Sequence, residues 1–78
     1  MKIKVIGKKH VEGTSKKTGK PFDFTEVHFL GKAPRVEGVA ALTCNVGADM
    51  YPFDAIVVNG EYMMERDNGY VLEFTPCR

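Results

Sequence analysis

The fold of this chain is restricted most by its division into short segments of alternating apolar and polar residues, separated by glycine, proline and asparagine. Alternation at every second position is typical of a half-buried β-strand, and no stretch carries the apolar spacing of an amphipathic helix. Strands are predicted at residues 2–11, 22–30 and 39–46, and a hairpin of two more strands at 61–75. The 78 residues are therefore expected to form one all-β domain, residues 1–78, with little or no helix.

A glycine interrupts the first predicted strand. The alternation of lysine with apolar residues that begins at Lys2 shifts at Ile6, just before Gly7. A β-bulge or a sharp bend at Gly7 accounts for the shift. Such bends let a short sheet curl, so the prediction is a small five-stranded OB-like barrel. An open sandwich is disfavoured, because so few strands would leave long unpaired edges.

The second predicted strand has apolar residues on both faces. Val27 and Phe29 are expected in the core. The opposite face then carries Phe22, Phe24, Glu26 and His28. The sequence leaves open whether these two phenylalanines are exposed, because a small β domain also needs aromatic residues in its core.

In residues 39–60, apolar and polar residues alternate regularly only in the third predicted strand. The third predicted strand is expected to bury the face that includes Cys44 and Val46. Segment 47–60 is irregular; its apolar run 55–58 is predicted as a short strand or a helical turn, and Asn59-Gly60 as a turn.

The final hairpin has two possible registers around residues 67–69. One uses a two-residue Asn-Gly turn, and the other a three-residue loop with glycine in the left-handed conformation. The three-residue loop is preferred because it separates apolar from charged side chains better. It pairs Tyr62 with Phe74, Met64 with Leu72 and Arg66 with Tyr70.

Charge is distributed unevenly along the chain. Residues 1–20 hold seven lysines and one acid, a charge of +6, whereas residues 21–78 hold four basic and nine acidic residues, a charge of −5. This asymmetry suggests a polyanionic partner for the basic part. The alternative is a solvated lysine face that keeps an edge strand from aggregating.

Several other classes of protein are disfavoured. Cys44 and Cys77 do not form a disulfide framework, and the first residues contain no apolar run of a signal peptide, so a cytoplasmic protein with reduced thiols is expected. The histidines, His10 and His28, and the cysteines lack zinc-site spacing, so no metal or other cofactor is expected. No catalytic constellation is present, and so short a chain is poorly suited to a deep active site. The chain is therefore not expected to be an enzyme.

Residues 14–24 contain the most informative chemistry, a basic loop that leads into a strand with aromatic residues. Lysines attract phosphates and aromatic rings stack on bases, a combination typical of single-stranded nucleic-acid binding. The candidate binding residues are Lys9, Lys16, Lys17, Lys20, Phe22, Phe24, Arg66 and Tyr70. Tyr51 and Tyr62 are weaker candidates, because such tyrosines are usually half-buried.

The segment Gly19-Lys20-Pro21-Phe22-x-Phe24-x-Glu26 resembles a motif of the filamentous-phage single-stranded-DNA-binding proteins. The resemblance covers about residues 13–26 and implies an OB-like barrel that dimerises, coats single strands and can repress translation by binding messenger RNA. By similarity, Lys17 and Lys20 contact phosphates, Phe22 meets the bases and Phe24 lies beside it. One departure is that residues 70–74 lack the basic side chains that the family's last strand often has.

Two functions are weighed. The first is a homodimeric, sequence-tolerant single-stranded-DNA-binding protein that coats strands during phage or plasmid replication, with RNA left open as a ligand. The alternative is a small β-barrel protein-interaction module, an accessory or inhibitor protein of a phage or mobile element. Such a module would bind through an exposed edge strand or present the acidic residues of 47–73 to a basic partner.

Overall fold

Five antiparallel strands in one sheet make up the fold, so the predicted all-β class and strand number are confirmed. The structure is a computed structural model, and it describes residues 1–67 and 70–77. In chain order the strands are β1 (Lys2–Thr14), β2 (Pro21–Gly31), β3 (Ala40–Gly47), β4 (Glu61–Asp67) and β5 (Tyr70–Pro76). Their order in the sheet is β3-β2-β1-β4-β5, which places the long β1–β2 hairpin at its centre.

The predicted bulge in β1 is confirmed. Val5 pairs with Phe29 and Gly7 pairs with His28, so Ile6 is the extra residue. The bulge changes which side chains of β1 face the core: Ile3 and Val5 are buried before it, whereas even-numbered residues take that side after it.

The core lies on one side of the curled sheet. Val27 and Phe29 are fully buried, as predicted, and Cys44 and Val46 of β3 are buried beside them. The remaining buried apolar side chains come from β1, β4, β5 and the segment before β4: Ile3, Val5, Ile56, Tyr62, Met64 and Phe74.

The segment between β3 and β4 contains a single 3₁₀ turn, Phe53–Ala55. Residues 56–58 form neither the short strand nor the helical turn that the sequence left open, because the turn ends before Ile56, which is extended. Of that apolar run only Ile56 is buried. The hydroxyl of Tyr62 fixes the segment, because it accepts a hydrogen bond from the Val57 N–H (2.8 Å) and donates one to the Ala55 carbonyl (3.3 Å).

The sheet is not closed into a barrel, which corrects the predicted closure. Edge strands β3 and β5 approach each other, but they form no ladder of hydrogen bonds in the described part of the chain. Side chains occupy the space between the edges instead: the Tyr51 ring, which follows β3, lies 5.4 Å from the Phe74 ring of β5. The edges are thus joined by aromatic packing rather than by backbone pairing.

The preferred register of the final hairpin is wrong. Arg66 pairs with Val71 rather than with Tyr70, and Met64 pairs with Phe74 rather than with Leu72. Leu72 is the extra residue of a second bulge, which leaves its side chain exposed and lets Met64 and Phe74 share the core face. No register without a bulge pairs Asp67 with Tyr70 at the end of the hairpin and also pairs Met64 with Phe74 in the core. The bulge allows both pairings. The predicted three-residue loop covers residues 67–69, of which Asn68 and Gly69 lie outside the described residues.

Candidate nucleic-acid interface

The β1–β2 hairpin carries a second face on the side opposite the core, which we call the outer face. Residues directly opposite each other in an antiparallel pair project to the same side of the sheet. Four such pairs form the outer face beyond the bulge: Gly13 with Phe22, Val11 with Phe24, Lys9 with Glu26, and Gly7 with His28. Register therefore brings together residues that are far apart in sequence.

Phe22 lies across the backbone of Gly13. A Cβ atom placed on Gly13 would be only 3.0 Å from Cζ of the Phe22 ring, so the ring occupies the space that a side chain at position 13 would take. The ring remains 39% exposed. The residue is therefore a supported surface aromatic, and the question that the sequence left open is answered in favour of exposure.

Phe24 stands next to Phe22 on the same face. The two ring centroids are 6.0 Å apart with an interplanar angle of 35°. Phe24 is half-buried between its cross-strand partners Val11 of β1 and Gly47 of β3. The two rings form an apolar surface of adjacent aromatic groups at the end of the hairpin.

The loop between β1 and β2 places three predicted lysines beside these rings. Lys16, Lys17 and Lys20 are exposed in a turn closed by two hydrogen bonds, from Ser15 N–H to the Lys20 carbonyl (2.9 Å) and from Gly19 N–H to the Ser15 carbonyl (2.8 Å). Gly19 has a φ of 70°, a left-handed conformation that glycine adopts without strain. The turn is thus a defined structure that carries positive charge at the end of the hairpin.

Lys9 extends this charge along the outer face, opposite Glu26. The side chain of Glu26 accepts a hydrogen bond from His28 at 3.0 Å. Within the described residues, Lys9 and the three loop lysines form no salt bridge. Their ammonium groups are therefore available to an anionic ligand.

The structure does not bring Arg66 and Tyr70 to this surface. Arg66 lies over the ring of Phe29 at 5.8 Å, on the core side of the sheet, and Tyr70 is exposed on edge strand β5 opposite Asp67. Tyr62 is buried, and its ring stacks on Phe74. None of these groups shares the outer face with Phe22.

A separate polar cluster lies on the core side of the hairpin end. His10 Nε2 is 2.6 Å from Asp23 Oδ1, and the imidazole stacks on Phe53 at 5.0 Å. The hydrogen bond to Asp23 raises the pKa of His10, and burial opposes this with a smaller effect. Glu12 offers a further carboxylate, so three potential metal ligands lie within 4.8 Å of one another, all on exposed residues. The sequence did not suggest this group, because Asp23 joins it only through the register of β2.

The most important residue missed by the sequence is Gly13. Its role depends on lying opposite Phe22, and only the register of a strand that continues to Thr14 places it there. The first strand was predicted to end near residue 11, so this pairing was outside the predicted ladder. Extending the predicted first strand to Thr14 would have placed Gly13 opposite Phe22.

No helix within residues 1–67 and 70–77 has the length and apolar character needed to cross a membrane. Comparison of the chain with protein-family models, with curated proteins and with solved structures gives no match. Its function is therefore inferred from the geometry of the site.

Proposed function

We propose that this protein is a non-enzymatic, sequence-tolerant single-stranded-DNA-binding protein that coats strands during phage or plasmid replication in the cytoplasm. The observation that carries the proposal is the juxtaposition of two partly exposed aromatic rings, 6.0 Å apart, with a turn that presents three lysines. Proteins that bind single strands without sequence preference combine stacking surfaces with basic surfaces that follow the backbone.

Base stacking supplies sequence tolerance, because every base has a π-face. The exposed Phe22 ring is the primary platform, and Phe24 extends it. Stacking of one base on an aromatic ring contributes about 1–3 kcal/mol. Gly13 leaves room for the Phe22 ring, since a larger residue at this position would displace the ring.

Phosphate contacts supply the rest of the affinity. Each phosphate neutralised on a single strand contributes about −0.7 to the slope of log K against log salt concentration. Contacts by Lys9, Lys16, Lys17 and Lys20 would together give a slope of about −2.8. Binding should therefore weaken clearly as salt is added.

A homodimer is part of the proposal. The β4–β5 hairpin exposes Leu72 and Met63, which are 62% and 42% exposed, and a chain of this size has only a thin core of its own. Burial of these side chains between two copies would add apolar contact area that one chain lacks.

The direct test is fluorescence anisotropy of labelled oligo-dT with wild type and Phe22→Ala at low and high salt. We expect the variant to bind about 5- to 150-fold more weakly, which corresponds to the loss of about 1–3 kcal/mol of stacking. Phe53→Ala is the matched control, because Phe53 lies on the core side of the hairpin end and stacks on His10.

Circular dichroism and thermal unfolding of both variants separate binding from stability. Truncation of a core phenylalanine to alanine lowers the free energy of unfolding by about 3–5 kcal/mol. We expect a much smaller decrease for Phe22→Ala, because the Phe22 ring is partly exposed. Absence of binding by folded wild type at low salt would reject the proposal.

The open sheet favours one second candidate, a protein-interaction module. Strands β3 and β5 are edges of the sheet, and an edge can accept an extended peptide as a further strand. A protein of this kind would be retained by a partner protein but not by single-stranded DNA resin. Retention on the resin that fades with salt favours the first candidate.

A further inference from the structure

A cavity of about 380 Å³ lies at the far end of the β1–β2 ladder from Phe22. Volumes of about 300–1,000 Å³ are typical of sites for small molecules. Its wall includes Leu30 of β2 and Val39, which precedes β3, and three lysines and one acid surround it: Lys2, Lys4, Lys32 and Glu61.

The cavity lies at the end of the hairpin, where residues of the outer face line it together with Ile3 and Gly31 of the core side. Lys4 and Leu30 are cross-strand partners before the bulge, and Leu30 lies on the same face of β2 as Phe22 and Phe24. The chain that leaves β2 then brings Lys32 and the 61% exposed Val39 to the cavity. An apolar depression is thus formed at the end of the outer face.

The charge around the cavity is positive. Lys2 is neutralised by Glu61, with Nζ 3.0 Å from the carboxylate. Lys4 and Lys32 form no salt bridge with any described residue. An apolar wall beside two uncompensated lysines suits a ligand that joins an apolar face to an anionic group, as a nucleotide joins the face of its base to its phosphate.

A single strand can contact both ends of the outer face. Eight residues separate Phe22 from Leu30, which at about 3.3 Å per residue is roughly 26 Å of extended strand. Single-stranded-DNA-binding OB folds cover about 4–16 nucleotides, so a ligand of ordinary length can reach from one end to the other. Lys9 lies between the two ends and can contact the connecting backbone.

We propose that this cavity is a second base-binding subsite for the same DNA strand. One base packs against Leu30 and Val39, and its neighbouring phosphates contact Lys4 and Lys32. The proposal rests on the proposed function and specifies which surface the strand follows after the Phe22 platform.

The test compares Val39→Asp with Val57→Asp, two valines that are 61% and 60% exposed. Val57 does not line the cavity and serves as the matched control. Anisotropy is measured with oligo-dT of about four and about twelve nucleotides, lengths chosen to cover one end or both ends of the outer face. We expect Val39→Asp to weaken binding of the longer oligonucleotide at least five-fold and to leave the shorter one, held at Phe22, unchanged.

Three results would overturn the subsite. If both aspartate variants weaken binding equally, the effect is a general one of charge. If Val39→Asp has no effect while Phe22→Ala still weakens binding, the proposed function stands and the subsite is rejected. If wild type binds neither length, both proposals are rejected together.

A second measurement uses the double variant Lys4→Gln, Lys32→Gln with the longer oligonucleotide. Loss of two phosphate contacts should make the salt slope less steep by about 1.4. An unchanged slope would contradict the assigned phosphate contacts.

Discussion

At the scale of single residues, the contact between Gly13 and Phe22 determines how the aromatic platform is presented. The ring covers a backbone position that has no side chain, so its orientation depends on the absence of a Cβ atom. A second ring is arranged in a similar way, since His28 lies over Gly7, but that contact is looser, with 3.6 Å from a Cβ at Gly7 to the nearest His28 atom. The two glycines therefore offer a matched pair of substitutions.

We predict that Gly13→Ala weakens binding to single-stranded DNA without unfolding the protein. The new methyl group would lie 3.0 Å from the Phe22 ring and displace it, whereas Gly7→Ala would make only an ordinary contact. Alanine is favoured over glycine within a strand by about 0.5–1 kcal/mol, which offsets strain in the folded state. Anisotropy and thermal unfolding of both variants test this; equal affinities of the two would contradict it.

We predict that His10 contributes stability at low pH. Its pKa is raised in the folded state by the hydrogen bond to Asp23, so the folded protein holds the proton more tightly than the unfolded chain. The contribution is complete below the unfolded pKa of about 6.5 and is lost as the pH rises through the higher folded value. In Asp23→Asn, an NMR titration should show the pKa of His10 lowered towards its ordinary value. An unchanged titration would contradict the assigned cause.

At the scale of secondary-structure elements, the turn between β1 and β2 acts as a unit. Its internal hydrogen bonds hold Lys16, Lys17 and Lys20 on one short segment next to the platform. We predict that the triple substitution of these lysines by glutamine makes the salt slope of binding less steep by about 2.1. The folded structure should be retained, because the bonds that close the turn are between backbone groups. A slope equal to that of wild type would show that the turn makes no phosphate contacts.

The elements also show how far the sequence predicts this structure. Strand alternation and Gly7 identified the first three strands and the β1 bulge, because both signals are local. The sequence did not predict the bulge at Leu72. This bulge shifts the register between the hairpin end and the core pair Met64 and Phe74, and the position of that pair depends on packing against other strands. The turn lysines and Phe22 were identified from local chemistry. The position of Gly13 and the cavity beside Val39 depend on register and on the path of a loop, which the sequence does not encode locally.

At the scale of the whole molecule, the β4–β5 hairpin leaves two large apolar side chains exposed, Met63 and Leu72. We predict that the protein is a dimer in solution and that Leu72→Glu makes it monomeric, because a charge would replace a side chain that is 62% exposed in the single chain. Light scattering after size-exclusion chromatography measures the mass directly. Val57→Glu, with 60% exposure, is the control and should leave the mass unchanged. A monomeric wild type would rule out the dimer.

The bulge at Ile6 has a consequence for how this protein could change over time. From residue 6 to residue 24, no residue is buried, although the segment includes most of β1, the basic turn and the start of β2. Substitutions at the outer-face positions of this segment would alter the proposed ligand-binding surface and remove no fully buried side chain, so each would usually cost little stability. Ligand preference could therefore diverge between descendants of this chain while the same core continues to specify the same sheet.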